Sequence, residues 1–183
     1  MALKIVFFSC LVAFISGFED KTVIQYLQDN NYLKLVEALT AAGLTGTLAG
    51  SGPYTIFAPT DTALSAFNVN DYTKEQLAKL MRYHIVAEFV LVPMLNVPTN
   101  KTTLEAQSIA LTPSPSGILI NGNARISTTH NDIIVNNGVI QPIDMLLTPP
   151  VFIQHNIYQI LLRDSDFADL TLALLLADLV STL

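Results

Sequence analysis

The chain has 183 residues, the scale of one domain or of one domain plus a fragment. Hydrophobic residues make up 51% and charged residues 13%, which supports a packed core and excludes a disordered, highly charged chain. The net charge of −6, with no basic stripe, repels phosphate backbones and excludes nucleic-acid binding as a function class.

Residues 1–17 read as a secretory signal peptide: an early Lys4, an apolar run from Ile5 to Ile15, then the small pair Ser16-Gly17 ahead of Glu19-Asp20. The run is too short to cross a bilayer, which takes about 20 residues. The last 14 residues, Leu170 to Leu183, are apolar but interrupted by Asp178, so no transmembrane segment is expected. Secretion and an extracellular location follow. Cleavage also removes the only cysteine, Cys10, and with it disulfides, Cys-ligated zinc and a thiol nucleophile.

In the mature chain, apolar spacing predicts helices over 21–44, with a break at Asn30-Asn31 and a stop at Gly43. Gly50-Ser51-Gly52-Pro53 predicts a turn and Tyr54 to Ala58 a strand. Thr60 is placed to cap a short helix carrying Ala63, Leu64 and Phe67, with Asp61 in its first turn. Thr73 caps another, whose Leu77, Leu80 and Met81 share a face. From about residue 84 short strands take over. Ile118–Ile120 and Ala124–Ser127 flank Asn121-Gly122, and Asp132–Val135 and Val139–Met145 flank Asn137-Gly138, so each pair predicts a hairpin turning on Asn-Gly. Pro142 in the last strand predicts an edge or a bulge. Helices followed by a run of strands argue an α+β fold.

Shifted by 135 positions, Tyr26–Leu48 faces Leu161–Leu183 without a gap and with nine identities in 23, against about two or three by chance. Residues 18–155 then form one complete unit, and 156–183 the truncated start of a second.

Three segments carry a family resemblance. YTIFAPTDTAL (Tyr54–Leu64), the Tyr83-His84-Ile85-Val86 run after a Leu-rich helix, and NNGVIQPIDMLLTPP (Asn136–Pro150) resemble, in this order and spacing, the signature segments of a fasciclin-like domain, the module of periostin-type adhesion proteins. The resemblance covers residues 20–150. It implies a compact β-sandwich or wedge flanked by N-terminal helices, and a role in cell adhesion or extracellular-matrix interaction. The partner it implies is a cell-surface receptor such as an integrin, or a matrix protein or glycan. Gln141-Pro142 stands where many relatives have His-Val, so hydrogen bonding around the last strand should differ.

Site residues follow from the resemblance. Asp132-Ile133 occupies the spacing that integrin-binding relatives use: an exposed carboxylate could complete the oxygen shell of a receptor-held cation, with Ile133 as apolar anchor. An ordinary strand start fits the same two residues. Tyr83-His84 is also linked to integrin binding in relatives, while a Tyr-His pair after an apolar helix equally fits a closed core edge. Asn100-Lys101-Thr102 is the only glycosylation sequon, beside Pro98 in a polar loop. His130 and His155 stand without partners at ligand spacing, so no metal is expected. No nucleophile elbow, phosphate loop or His-Glu-x-x-His occurs, and Asp61, Asp132 and Asp144 do not form a catalytic pattern, so neither an enzyme nor a cofactor is expected. Two other classes remain open: a structural or carbohydrate-associated surface protein without integrin contact, and a small-ligand carrier using a groove between helices and sheet.

Overall fold

The computed structural model describes residues 20–150. The signal segment, His155 and the start of the second unit lie outside the described residues.

Helix α1 (Val23–Asp29) opens on a reciprocal cap in which Thr22 accepts from the Gln25 backbone and Gln25 accepts from the Thr22 N–H. Asn31, at φ 62°, breaks the chain before α2 (Leu33–Ala41). A further turn of helix, α3 (Thr45–Leu48), precedes strand β1 (Tyr54–Pro59). The helix predicted after Thr60 is instead a chain of turns. Its bonds tighten from four residues (Leu64 to Thr60) to three (Ser65 to Thr62, Phe67 to Leu64), and Phe67 stacks on Tyr72. Asp61 has a different use from the one its position suggested: its Oδ1 accepts from the Lys34 N–H at 3.2 Å and caps the N-terminus of α2. Helix α4 (Lys74–Tyr83) begins on a second reciprocal cap, Thr73 with Gln76, and buries Leu77, Leu80, Met81 and Tyr83.

The strands follow as β2 (Ile85–Val86), β3 (Thr99–Thr102), β4 (Ser108–Ser114), β5 (Gly117–Ile120), β6 (Ala124–Arg125), β7 (Ile133–Val135) and β8 (Gly138–Ile143). They form two four-stranded sheets, ordered β2-β1-β8-β7 and β3-β4-β5-β6. Every pairing is antiparallel except β1 with β8, which run parallel from Tyr54↔Gly138 to Pro59↔Ile143. Isolated bridges, Val86↔Thr103 and Ile126↔Ile143, join one sheet to the other. The fold is the α+β β-sandwich flanked by N-terminal helices.

Phe57, Tyr83, Val86, Ile109, Leu111, Ile118, Ile120 and Ile143 pack into one core. Strands β1 and β8 are buried almost throughout, as central strands covered on both faces are. Pro142 therefore lies in a central strand and not at an edge. It is tolerated because β7 stops pairing at Ile133↔Ile140, short of its missing N–H, and its carbonyl accepts from Ser127 N at 2.8 Å.

The two predicted hairpins form, with different turns. Asn121 and Gly122 adopt φ 52° and 78°, as an Asn-Gly turn requires. In the second hairpin Val135 pairs with Gly138, so the turn is Asn136-Asn137 and Gly138 already belongs to β8. Gly138 is needed for proximity instead: a Cβ there would collide with the backbone carbonyl of Tyr54. Asn137 is buried and fully used. Its Oδ1 accepts from Val23 N (2.8 Å), and its Nδ2 donates to Leu48 O and Gly50 O (both 2.7 Å). Its carbonyl accepts from Tyr54 N (3.0 Å).

Removing this side chain strands one N–H and two carbonyls, each costing about 1–3 kcal/mol when buried. Asn137→Ala should therefore lose about 3 kcal/mol or more and lower Tm by roughly 10 °C. Asn137→Asp should fare no better, since it sets a carboxylate against two carbonyls. Melts within a few degrees of the parent for both variants would refute this role.

Candidate functional site

Asp132 immediately precedes β7, its backbone at φ 52°, a region that Asp and Asn tolerate better than most residues. It is half-buried, not free in solvent. Its Oδ1 accepts from Val92 N at 2.8 Å and from Gln141 Nε2 at 2.6 Å, and its own N–H donates to Gln141 Oε1 at 3.0 Å. Gln141, wholly buried, also donates to Val90 O at 2.9 Å. One carboxamide thus ties the start of β7 to the segment between β2 and β3. This explains the Gln-for-His departure: a carboxamide offers two donors and an acceptor on adjacent atoms, which the three bonds use. Among the described residues Oδ2 of Asp132 has no protein partner. The anchored segment carries exposed apolar side chains, Phe89, Met94 (61% exposed) and Val97. Ile133 is half-buried on β7, which is an edge strand.

Tyr83 and His84 are both fully buried, so neither side chain can touch a partner of the folded domain. This removes them from the partner-contacting set. The Tyr83 hydroxyl donates to Ser108 O (3.3 Å) and accepts from Asn121 Nδ2 (2.9 Å), which pins the β5–β6 turn. His84 Nδ1 lies 2.8 Å from Leu80 O, and Nε2 accepts from Leu147 N at 2.9 Å. The ring is therefore neutral, with its proton on Nδ1. Burial pulls its pKa down from 6.5 to about 4, against the opposing pull of the Leu80 carbonyl.

Asn100 and Thr102 lie exposed on β3, an edge strand rather than a loop, with Asn100 paired to Ala110. His130 is exposed, its Nδ1 3.1 Å from Thr129 Oγ1. Asp144 Oδ1 accepts from Arg125 N at 2.7 Å. Among the described residues no three His, Cys, Asp or Glu side chains gather as metal ligands do, and no helix is long and apolar enough to cross a membrane. Sequence reasoning missed Gln141 as a site residue, although its departure from the pattern marked the position. It also missed Arg125, which no local motif announces.

Residues 30–149 match the sequence pattern of the fasciclin domain. Stabilin-2 of Rattus norvegicus is 38% identical over 108 residues, 56% of this chain and 7% of its own length. The chain thus spans less than a tenth of that relative. The Synechocystis protein sll1735, described as uncharacterized, is 32% identical over 127 residues, 66% of this chain and 92% of its own length. Among solved structures, a FAS1 domain pair from the insect cell adhesion molecule fasciclin I aligns at a TM-score of 0.49 and 16% identity, covering 79% of this chain and 53% of that one.

The His84 environment predicts a pH dependence. The unfolded imidazole takes a proton near 6.5, whereas the folded one resists until about 4. Its contribution is fully present above pH 6.5, is lost as pH falls toward 4, and amounts to about 3 kcal/mol over the window. Urea melts across that window should follow this loss, and His84→Gln should be weaker at pH 7 with a flatter profile. A parental stability that stays level from pH 7 to 4.5 would contradict the assignment.

Proposed function

The chain belongs to the fasciclin domain family, and on that premise we propose that it is a secreted adhesion or extracellular-matrix module that recognises a receptor or matrix partner and performs no chemistry. Residues 1–17 are its signal peptide, 18–155 its recognition domain and 156–183 the beginning of a second copy. The observation that carries the reading is the division of labour within Asp132. Oδ1 is held by Val92 and Gln141, while Oδ2 is left to complete the shell of a partner's divalent cation. Ile133 and the exposed Phe89 and Met94 supply apolar area of the kind that marks interaction surfaces. Asn100 is the glycosylation site, and a glycan there would shield the open edge of β3 from strand pairing.

A second reading, a structural or carbohydrate-associated surface protein without integrin contact, is favoured by the Synechocystis relative, nearly all of whose length the chain matches. Integrins are animal receptors, and a bacterial surface offers none.

Asp132→Asn separates the two. Asn tolerates the left-handed backbone and keeps an acceptor at Oδ1, so the domain should fold with a loss of about 1 kcal/mol from weaker bonds to a neutral group. Divalent-cation-dependent cell attachment should fall sharply, and chelation should mimic the loss. Undiminished attachment by the folded variant would rule out the cation role and leave the second reading. Secretion has its own test. Material exported from eukaryotic cells should begin within a few residues of Phe18 and lose mass with an N-glycosidase, unless Asn100 is changed to Gln. A product retaining Met1 in a membrane would exclude secretion.

A further inference from the structure

Beside the C-terminal end of β8 the surface opens into a cleft of about 540 Å3, within the roughly 300–1,000 Å3 range of small-ligand sites. Neither Asp132 nor the 89–97 segment lines it, so it stands apart from the surface just described. The lining joins three buried apolar residues, Ile126, Pro142 and Ile143, to polar side chains from separate parts of the chain: Tyr32, Arg125, His130 and Asp144. Much of their bonding capacity is unspent. Arg125 forms no ion pair among the described residues, although Asp144 accepts from its backbone N–H. That bond uses Asp144 Oδ1 and leaves Oδ2 open. His130 engages Nδ1 with Thr129 and leaves Nε2. The Tyr32 hydroxyl has no protein partner among the described residues, and its ring is half-buried in the wall.

This mixture of charges selects a chemistry. A guanidinium presents paired donors that match a carboxylate, so the site accepts an anion. Asp144 repels a compact, highly charged one such as phosphate, and wants hydroxyl donors instead. A tyrosine ring offers an apolar face with a polar tip, suited to one side of a sugar ring. A carboxylate on a ring of hydroxyls answers all three demands. We propose that the cleft binds a sugar acid: a hexuronate whose carboxylate pairs with Arg125, whose hydroxyls bond to Asp144 and His130, and whose ring lies on Tyr32.

The test uses the full secreted chain, titrated by calorimetry and amide NMR with tetragalacturonate, its methyl ester, monomeric galacturonate and inorganic phosphate. The tetramer should bind about tenfold or more tightly than its ester, since the ester removes the charge-assisted pair with Arg125. Arg125→Gln should erase that preference. Asp144→Asn, which keeps an acceptor for the Arg125 N–H, should weaken acid and ester alike while the melt stays near the parent's. A tetramer tighter than the monomer assigns a polymeric glycan, and equal affinity assigns a free sugar acid; both support the site. Equal binding of acid and ester, phosphate binding as tight as the tetramer's, or no saturable binding of tetramer or monomer by the parent would overturn it. None of these outcomes bears on cation-dependent attachment, which is read on cells through Asp132.

Discussion

Parallel pairing of β1 with β8 is the constraint on which the rest depends, and Asn137 holds it at its starting end. The two strands are separated by most of the domain, so the chain must close a long loop before their ladder returns any free energy. Asn137 draws the start of α1, the end of α3 and the first residue of β1 to one turn, through one side chain and one carbonyl. Gly138 and Gly52 let the backbones meet there: a Cβ on Gly52 would strike the Asn137 carbonyl, just as one on Gly138 would strike Tyr54. Polar saturation and the absence of two side chains are thus parts of one device. An apolar residue at 137 could fill the space but would leave the converging backbone groups dry and unpaired.

The same economy recurs where the sheets meet loops. Gln141, the Tyr83 hydroxyl and His84 are buried polar groups, each bonded to backbone far away in sequence. Every buried side-chain nitrogen or oxygen among the described residues has a partner. Burial of such groups is costly without partners, so each link penalises alternative registers more than it rewards the native one. The sandwich core supplies non-directional stability, and these few links decide which loops stand where.

Much of this architecture was legible from spacing. Leu77, Leu80 and Met81 fell on the buried face of α4 because helical period and core burial go together, and Thr73 announced its start. The α+β order was legible for the same reason. Three features were not. Asn137-Gly138 looked like a positive-φ turn, because nothing local distinguishes a glycine needed for φ from one needed for close approach. Pro142 looked like an edge residue, because the sequence does not reveal that β7 ends before reaching it. The Thr60 segment looked helical, because its apolar spacing suits both a helix and successive tight turns. At the candidate sites, Asp132-Ile133 could be located by pattern, but its half-burial depends on Gln141 and Val92, and the Arg125 cleft arises only when segments more than 90 residues apart converge.

The buried pair Tyr83-His84 bears on how function in such a domain should be read. A side chain with no exposure influences a partner only through the structure it supports, and these two support different parts. Tyr83 holds the Asn121 turn at the end of β5, and His84 holds the Leu147 backbone beyond β8. Loss of either bond would loosen a loop without removing a contact surface, so lost binding at these positions measures fold integrity. Asp132 differs because one oxygen belongs to the fold and the other does not. Substitutions that keep Oδ1 as an acceptor test the proposed surface role alone, whereas truncation to alanine confounds it with the release of Val92 and Gln141. On the proposed reading, the recognition surface is held in place by the bonds of Gln141 and of Asp132 Oδ1, apart from the oxygen left for the partner.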